Sequence, residues 1–224
     1  MKYFNVCILA LLLAVCIPVF AGVTNGGFET GNFSGWSTDG DAAVVTTGCS
    51  TIYPFHCASP VGGNYMALLT AGSVPIAQLS NDLGIDLSTY YPDALYGSAI
   101  WQTFASVPGT PVTFSYNFLG NDYLPFDDAA AFTTYVDPSG ATYLLTLGSI
   151  NGVGDYGTTG WQSWSNMTAL YGQYRVGFVV FNDLDNSLNS QLLVDRALDR
   201  VPEPASMLLL GTGLLGLLGL RRKR

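Results

Sequence analysis

Between residues 22 and 200 the sequence has no lysine, one histidine (His56) and three arginines, Arg175, Arg196 and Arg200. Against them stand fourteen aspartates and Glu29, so this stretch carries a net charge of 3 − 15 = −12. Such a surface repels phosphate backbones and anionic lipid and attracts cations, which excludes nucleic-acid binding. A lone histidine does not furnish a multi-histidine zinc site, and the Gly-x-Ser-x-Gly turn of many serine hydrolases is missing. Asp127 and Asp128 lie beside Phe126 and Tyr123, but no cleft-building helix or long catalytic loop accompanies them. The expectation is a protein that is not an enzyme.

Glutamate is nearly as scarce as lysine. Aspartate favours turns where glutamate favours helices, so the bias points to a loop-rich β protein. Asn121-Asp122 with Asp127-Asp128, and Asn182-Asp183 with Asp185-Asn186, have spacings that could wrap a calcium ion. Neither matches the twelve-residue helix–loop–helix calcium loop, and both read better as turns.

Long apolar runs occur only at the two ends. Lys2 precedes an apolar stretch from Phe4 to Phe20, and Val19-Phe20-Ala21 offers a signal-peptidase site after Ala21. Residues 1–21 are thus read as a signal helix, 22–200 as one folded domain and 201–224 as a sorting segment. Of the four cysteines, Cys7 and Cys16 leave with the signal. Cys49 and Cys57 remain and are expected to form a disulfide in an oxidising compartment.

At the other end, Pro202-Glu203-Pro204 precedes an uncharged run from Ala205 to Leu220, closed by Arg221, Arg222, Lys223 and Arg224. Sixteen apolar residues span roughly 24 Å as a helix, short of the ~20 residues of a comfortable membrane span. Four cations after an apolar run hold it across a membrane from the cytoplasmic side. The order of parts resembles the PEP-CTERM sorting signal of Gram-negative bacteria that make extracellular polymers. That resemblance implies export across the inner membrane, transient anchoring there by a short hydrophobic helix, and processing by an exosortase. It further implies release of the protein to the cell surface or outside.

The middle reads as strands. Val112, Phe114, Tyr116 and Phe118 alternate with polar residues. Further strands are expected at Ala42 to Thr47, Tyr65 to Leu69, Ile100 to Ala105, Ala129 to Val136, Ala141 to Leu147, Tyr174 to Phe181 and Gln191 to Ala197. Pro138-Ser139-Gly140 reads as a hairpin connection. Residues 78–97 read as an inserted loop with one helical turn at most. Eight to ten short strands predict an all-β sandwich of two packed sheets.

Neutral polysaccharide is held by flat aromatic faces with a few polar hydrogen-bonders. Trp161 and Trp164, three apart, point to opposite sides if extended. Tyr53 and Phe55 sit on the loop bounded by Cys49 and Cys57, and Tyr90-Tyr91 in the insertion. Trp36 and Trp101 read as buried.

Asn25-Gly26-Gly27-Phe28-Glu29 with Gly35-Trp36, Trp101-Gln102-Thr103-Phe104 and Leu192-Leu193-Val194-Asp195 resemble parts of galactose-binding-like, jelly-roll carbohydrate-binding modules. The Asn-Gly-Gly run would supply φ > 0 for a tight turn. The resemblance implies a structural calcium held by Glu29 and Asp195, although Arg196 stands where many relatives carry a second acid. The expected function is binding of exopolysaccharide or neighbouring matrix proteins. The alternative is a structural matrix or adhesion protein with no sugar site, bridged by calcium or by protein contacts.

Overall fold

The computed structural model describes residues 23–197. The signal peptide at 1–21, the sorting segment at 201–224 and their expected helices lie outside the described residues. Among the described residues no helix is long and apolar enough to cross a membrane.

In chain order the elements are β1 (Ser37–Asp39), β2 (Asp41–Val45), β3 (Gly48–Cys49), β4 (Cys57–Ala58), β5 (Met66–Thr70) and β6 (Val74–Pro75). Helix α1 (Ile76–Leu83) and a 3-10 turn (Leu87–Thr89) follow, then β7 (Ala94–Ser106), β8 (Pro111–Leu119), β9 (Ala129–Asp137) and β10 (Ala141–Ser149). The short α2 (Ile150–Val153), β11 (Gln162–Met167), β12 (Gly172–Asp183) and β13 (Gln191–Asp195) complete the order. One sheet runs β1-β7-β12-β9-β10, with β6 also on β7; the other runs β11-β8-β13-β5-β2. Both are antiparallel, and they stack as a jelly-roll sandwich.

The alternation read in β8 sets the interior. Val112, Phe114 and Phe118 are buried, and Tyr116 is half-buried beside Phe114. Phe114 meets Phe132 of β9 at 4.6 Å and Phe178 of β12 at 5.0 Å between ring centroids. Phe132 and Phe178 themselves lie 5.3 Å apart, so three rings bind one sheet to the other. The β9–β10 connection is the hairpin expected at Pro138-Ser139-Gly140, with Gly140 at φ 70° donating to the Val136 carbonyl.

Strand β12 is buried on both faces. Tyr174, Val176, Phe178 and Val180 face the sandwich, while Val179 and Phe181 face a second apolar layer with Leu79, Leu83 and Leu87. Residues 78–97 are therefore more than an inserted loop. They hold most of α1, an eight-residue helix whose Leu79 and Leu83, four apart, both point at the sheet. The helix sits close because Gly97 and Gly177 lie beneath those leucines and offer no Cβ. Gly84 ends it in the left-handed conformation at φ 73°. Strand β7 is correspondingly longer than expected, because its outer face is covered from Ala94 onward.

On the opposite outer face, Cys49 and Cys57 form the expected disulfide across the β3–β4 pair. This hairpin lies over Met66, Leu119 and Leu193, with Val45, Ala58, Leu68 and Trp161 at the margin.

The opening turn differs in one respect from the expectation. Positive φ occurs at Asn25 (52°) and Phe28 (57°), and at neither Gly26 nor Gly27. Asparagine enters that region at small cost. Phe28 is held there by full burial against Trp36 (5.5 Å) and by bonds from its N–H to Asn25 and from Gly31 to its carbonyl.

Candidate functional site

Strand β10 is the free edge of one sheet and β11 the free edge of the other, and between them the sandwich opens into a cavity of ≈ 220 Å³. Pairing with β8 sets Trp164 opposite Phe114, with its ring toward the interior. Trp164 stacks on Phe114 (5.2 Å, 29°) beneath and on Tyr143 of β10 (6.3 Å, 27°) toward the mouth. Tyr143 is 42% exposed and Met167, on the rim, 67%. Thr134, Thr142 and Asn166 add polar groups to the wall, and no aspartate or glutamate lines it. The result is an apolar slot with a partly open aromatic face, edged by hydroxyl and amide groups and free of carboxylate.

The other aromatics expected at a sugar site lie elsewhere. Trp161 is on the outer face of the five-stranded sheet, where its indole N–H donates to the Ser59 carbonyl at 3.0 Å and its ring covers the layer under the disulfide hairpin. Tyr53 and Phe55 project from the disulfide loop, 79% and 66% exposed, in an edge-to-face pair at 6.2 Å. The structure thus brings Tyr53 to Phe55 and Trp164 to Tyr143, and keeps the groups apart. Tyr91 packs on Phe181 (4.6 Å) and bonds Thr146, while Tyr90 stays half exposed. Trp36 is buried as expected; Trp101 is only partly so. Tyr143 drew no attention in the sequence because its contribution depends on β10 and β11 being facing edges.

Glu29 and Asp195 both clasp one loop. Glu29 accepts the N–H groups of Asn64 (3.0 Å) and Tyr65 (3.1 Å). Asp195, fully buried, accepts Val61 (2.7 Å) and Gly62 (3.0 Å) on one oxygen and Arg196 N–H (2.6 Å) on the other. Burial raises the Asp195 carboxyl above the ordinary aspartate value, while these backbone donors and the Arg196 charge pull it down. Two carboxylates already filled with N–H donors fall short of the six to eight oxygens of a calcium shell, so in this arrangement they fit loop caps better than metal ligands.

The aspartate loops read as turns are not surface turns throughout. Asn121, Asp122, Asp128, Asn182 and Ser190 are completely buried at the end of the sandwich where β8 leaves and β13 begins. Burial pushes the Asp128 carboxyl up to about 7, with Asp122 adding repulsion and Ser190 and Asp183 opposing through hydrogen bonds. Hydrophobic periodicity does not report such a node, since its members come from two segments distant in sequence. Among the described residues no three His, Cys, Asp or Glu side chains gather as a metal-binding group.

Comparison with known families decides the other end of the chain. Residues 200–223 match the PEP-CTERM protein-sorting motif. The motif indicates export, with transient membrane anchoring through the C-terminus and processing by an exosortase. A comparison with curated proteins finds no match. Among solved structures, the fold is similar to TmCBM61 in complex with β-1,4-galactotriose, at 16% identity and a TM-score of 0.44 over 79% of this chain and 95% of that one. It is also similar to carbohydrate-binding modules of the β-sandwich superfamily, at 14% identity and 0.43 over 80% of this chain and 62% of that one. A third is the K1 cleaved adhesin domain of Lys-gingipain from Porphyromonas gingivalis W83, at 11% identity and 0.37 over 75% and 92%. These distant likenesses identify no ligand for this chain.

Proposed function

We propose that this exported PEP-CTERM protein binds a neutral polysaccharide of the extracellular matrix, without catalysis, in the cleft between β10 and β11. The observation that carries the reading is the stack of Tyr143 on Trp164 at the mouth of a slot without carboxylates. A pyranose ring offers an apolar C–H face and equatorial hydroxyls, which match an aromatic platform edged by Thr134, Thr142 and Asn166. Glycoside hydrolysis by the usual route needs two carboxyl groups flanking the bond, and this lining supplies none.

The test is saturable binding of the purified protein to the exopolysaccharide of its own host. Trp164 also packs on Phe114 and Phe132, so Trp164→Ala risks the core. Tyr143→Ala trims only the mouth and is expected to weaken binding by roughly tenfold, the worth of about 1.4 kcal/mol. Saturable binding that is unchanged in Tyr143→Ala removes the cleft from the reading. No binding at all favours the alternative, a matrix or adhesion component working through protein contacts. The exposed pair Tyr53–Phe55 is the surface that favours that alternative.

A further inference from the structure

The connection after β8 and the connection between β12 and β13 are laced together at the end of the sandwich. Asn121 Nδ2 donates to the Asn189 carbonyl at 2.7 Å, and its backbone N–H to Ser190 Oγ at 3.1 Å. Asp128 Oδ1 accepts Asp183 N–H at 3.1 Å, and Oδ2 accepts Ser190 Oγ at 2.7 Å and Ser190 N–H at 3.3 Å.

Within this node the unmatched groups are all of one kind. Asp122 Oδ2, Asn182 Oδ1 and the neighbouring Gln191 Oε1 are buried oxygens with no hydrogen-bond partner. The orientation of Asn182 is fixed by its own contacts. Its Nδ2 donates to Asn186 Oδ1 (3.1 Å) and Asn189 Oδ1 (2.6 Å), which leaves the carbonyl oxygen as the unmatched end. A buried acceptor without a partner costs about 1–3 kcal/mol, more for a charged one, so each of these oxygens calls for a partner.

The charge has the same sign as the unmatched atoms. Asp122 and Asp128 are fully buried and repel one another, and Asp185 adds to the repulsion on Asp122. The described residues contain no lysine and two arginines, both engaged elsewhere. Arg175 donates to the Asp82 carbonyl beside α1, and Arg196 lies against Gly62 and acts on Asp195. Neither figures among the charges acting on Asp122 or Asp128.

We propose that Asp122 Oδ2 and Asn182 Oδ1, with Asp128 behind them and Asp185 at the rim, form a site for a hard divalent cation of the calcium kind. All candidate donors are oxygens, with no imidazole or thiolate, which selects against zinc. Asp122, Asp128 and Asp185 come from irregular loops and Asn182 from the end of β12, and a largely loop-borne set suits the adaptable shell of calcium better than the strict octahedron of magnesium. The three carboxylates do not converge as they stand, so binding draws in Asp185, which is half-buried on its loop. The site is separate from the Glu29–Asp195 clasp, which lies at the other end of β13, and does not depend on the glycan reading.

The experiment uses the full chain in mild detergent, stripped with chelator and then titrated with calcium while thermal unfolding is followed. Terbium luminescence sensitised by Tyr123 and Tyr156, whose rings lie 5.9 Å apart beside Asp122, reports occupancy directly. Saturable binding and a calcium-dependent rise in Tm are expected. Asp122→Asn and the gentler rim variant Asp185→Asn should each weaken binding by about tenfold or more while remaining folded. Asn182→Asp should destabilise the calcium-free protein and bind calcium more tightly. Absence of saturable binding overturns the proposal, as does binding lost in Glu29→Gln but kept in Asp122→Asn. A Tm gain in Asp122→Asn that is the same with and without calcium also overturns it, and leaves a proton as the neutralising partner.

Discussion

Leu83 of α1 occupies the space that a Cβ on Gly177 of β12 would fill; the two would overlap at Leu83 Cδ2. Close approach of helix to sheet thus depends on a missing side chain. Gly177→Ala is expected to cost about 1–3 kcal/mol by overpacking, read as a lower urea midpoint with unchanged slope. Gly140→Ala, in open space on the β9–β10 hairpin, carries only the strain of its φ of 70° and should cost less.

Reduction of the Cys49–Cys57 bond should be tolerated but felt. The bridge closes a sequence separation of 8, for which chain entropy gives about 2–3 kcal/mol. The loop stays attached through the Trp161 bond to Ser59 and the Thr51 N–H bond to Asn121 Oδ1. Urea unfolding with and without reductant should show a lower midpoint and a single transition. A separate early phase would show that the hairpin unfolds by itself.

Asp195→Ala should loosen the loop at residues 61–62 more than Glu29→Ala loosens residues 64–65. Asp195 is wholly buried and serves three N–H groups, whereas the Glu29 bonds are exposed. A loss of about 1–3 kcal/mol is expected for Asp195 and less for Glu29. Amide hydrogen exchange at Val61, Gly62, Asn64 and Tyr65 distinguishes the two residue by residue.

Acid should stabilise the contact between β1 and α1. Burial first, then hydrogen bonding and repulsion from Asp39, raise the Asp82 carboxyl above 3.8, while Arg175 opposes. The folded state therefore holds this proton more tightly than the unfolded chain. Its stabilising share is full below the ordinary aspartate value and is lost as pH rises through the raised one. Asp39→Asn should raise Tm at neutral pH and flatten the profile across that window. A profile identical to the parent would show that the pair carries no pH dependence.

Much of the sandwich was legible because its strands obey a period of two. Ala129 to Val136 and Ala141 to Leu147 fall inside β9 and β10, and Val112 to Phe118 inside β8. Helix α1 was not legible, since Ile76, Leu79 and Leu83 within eight residues make too short a pattern to separate from a loop. Trp164 could be singled out as an aromatic, but its partner could not. Tyr143 reaches it only because β10 and β11 end their respective sheets. The buried node was hidden for a different reason. Aspartate and asparagine are ordinary turn residues, and only the meeting of two segments distant in sequence takes Asp122, Asp128 and Asn182 out of water.

Strand β13 leads directly to the sorting motif, and its register has a spatial consequence. Asp195 lies opposite Ser115, and Ser163, next to Trp164, lies opposite the same residue. The chain therefore leaves the sheet at the end where Trp164 sits, while the Ser190 node occupies the far end. Ala197 is buried and donates its N–H to the Gly26 carbonyl, so the exit from β13 is pinned to the opening turn.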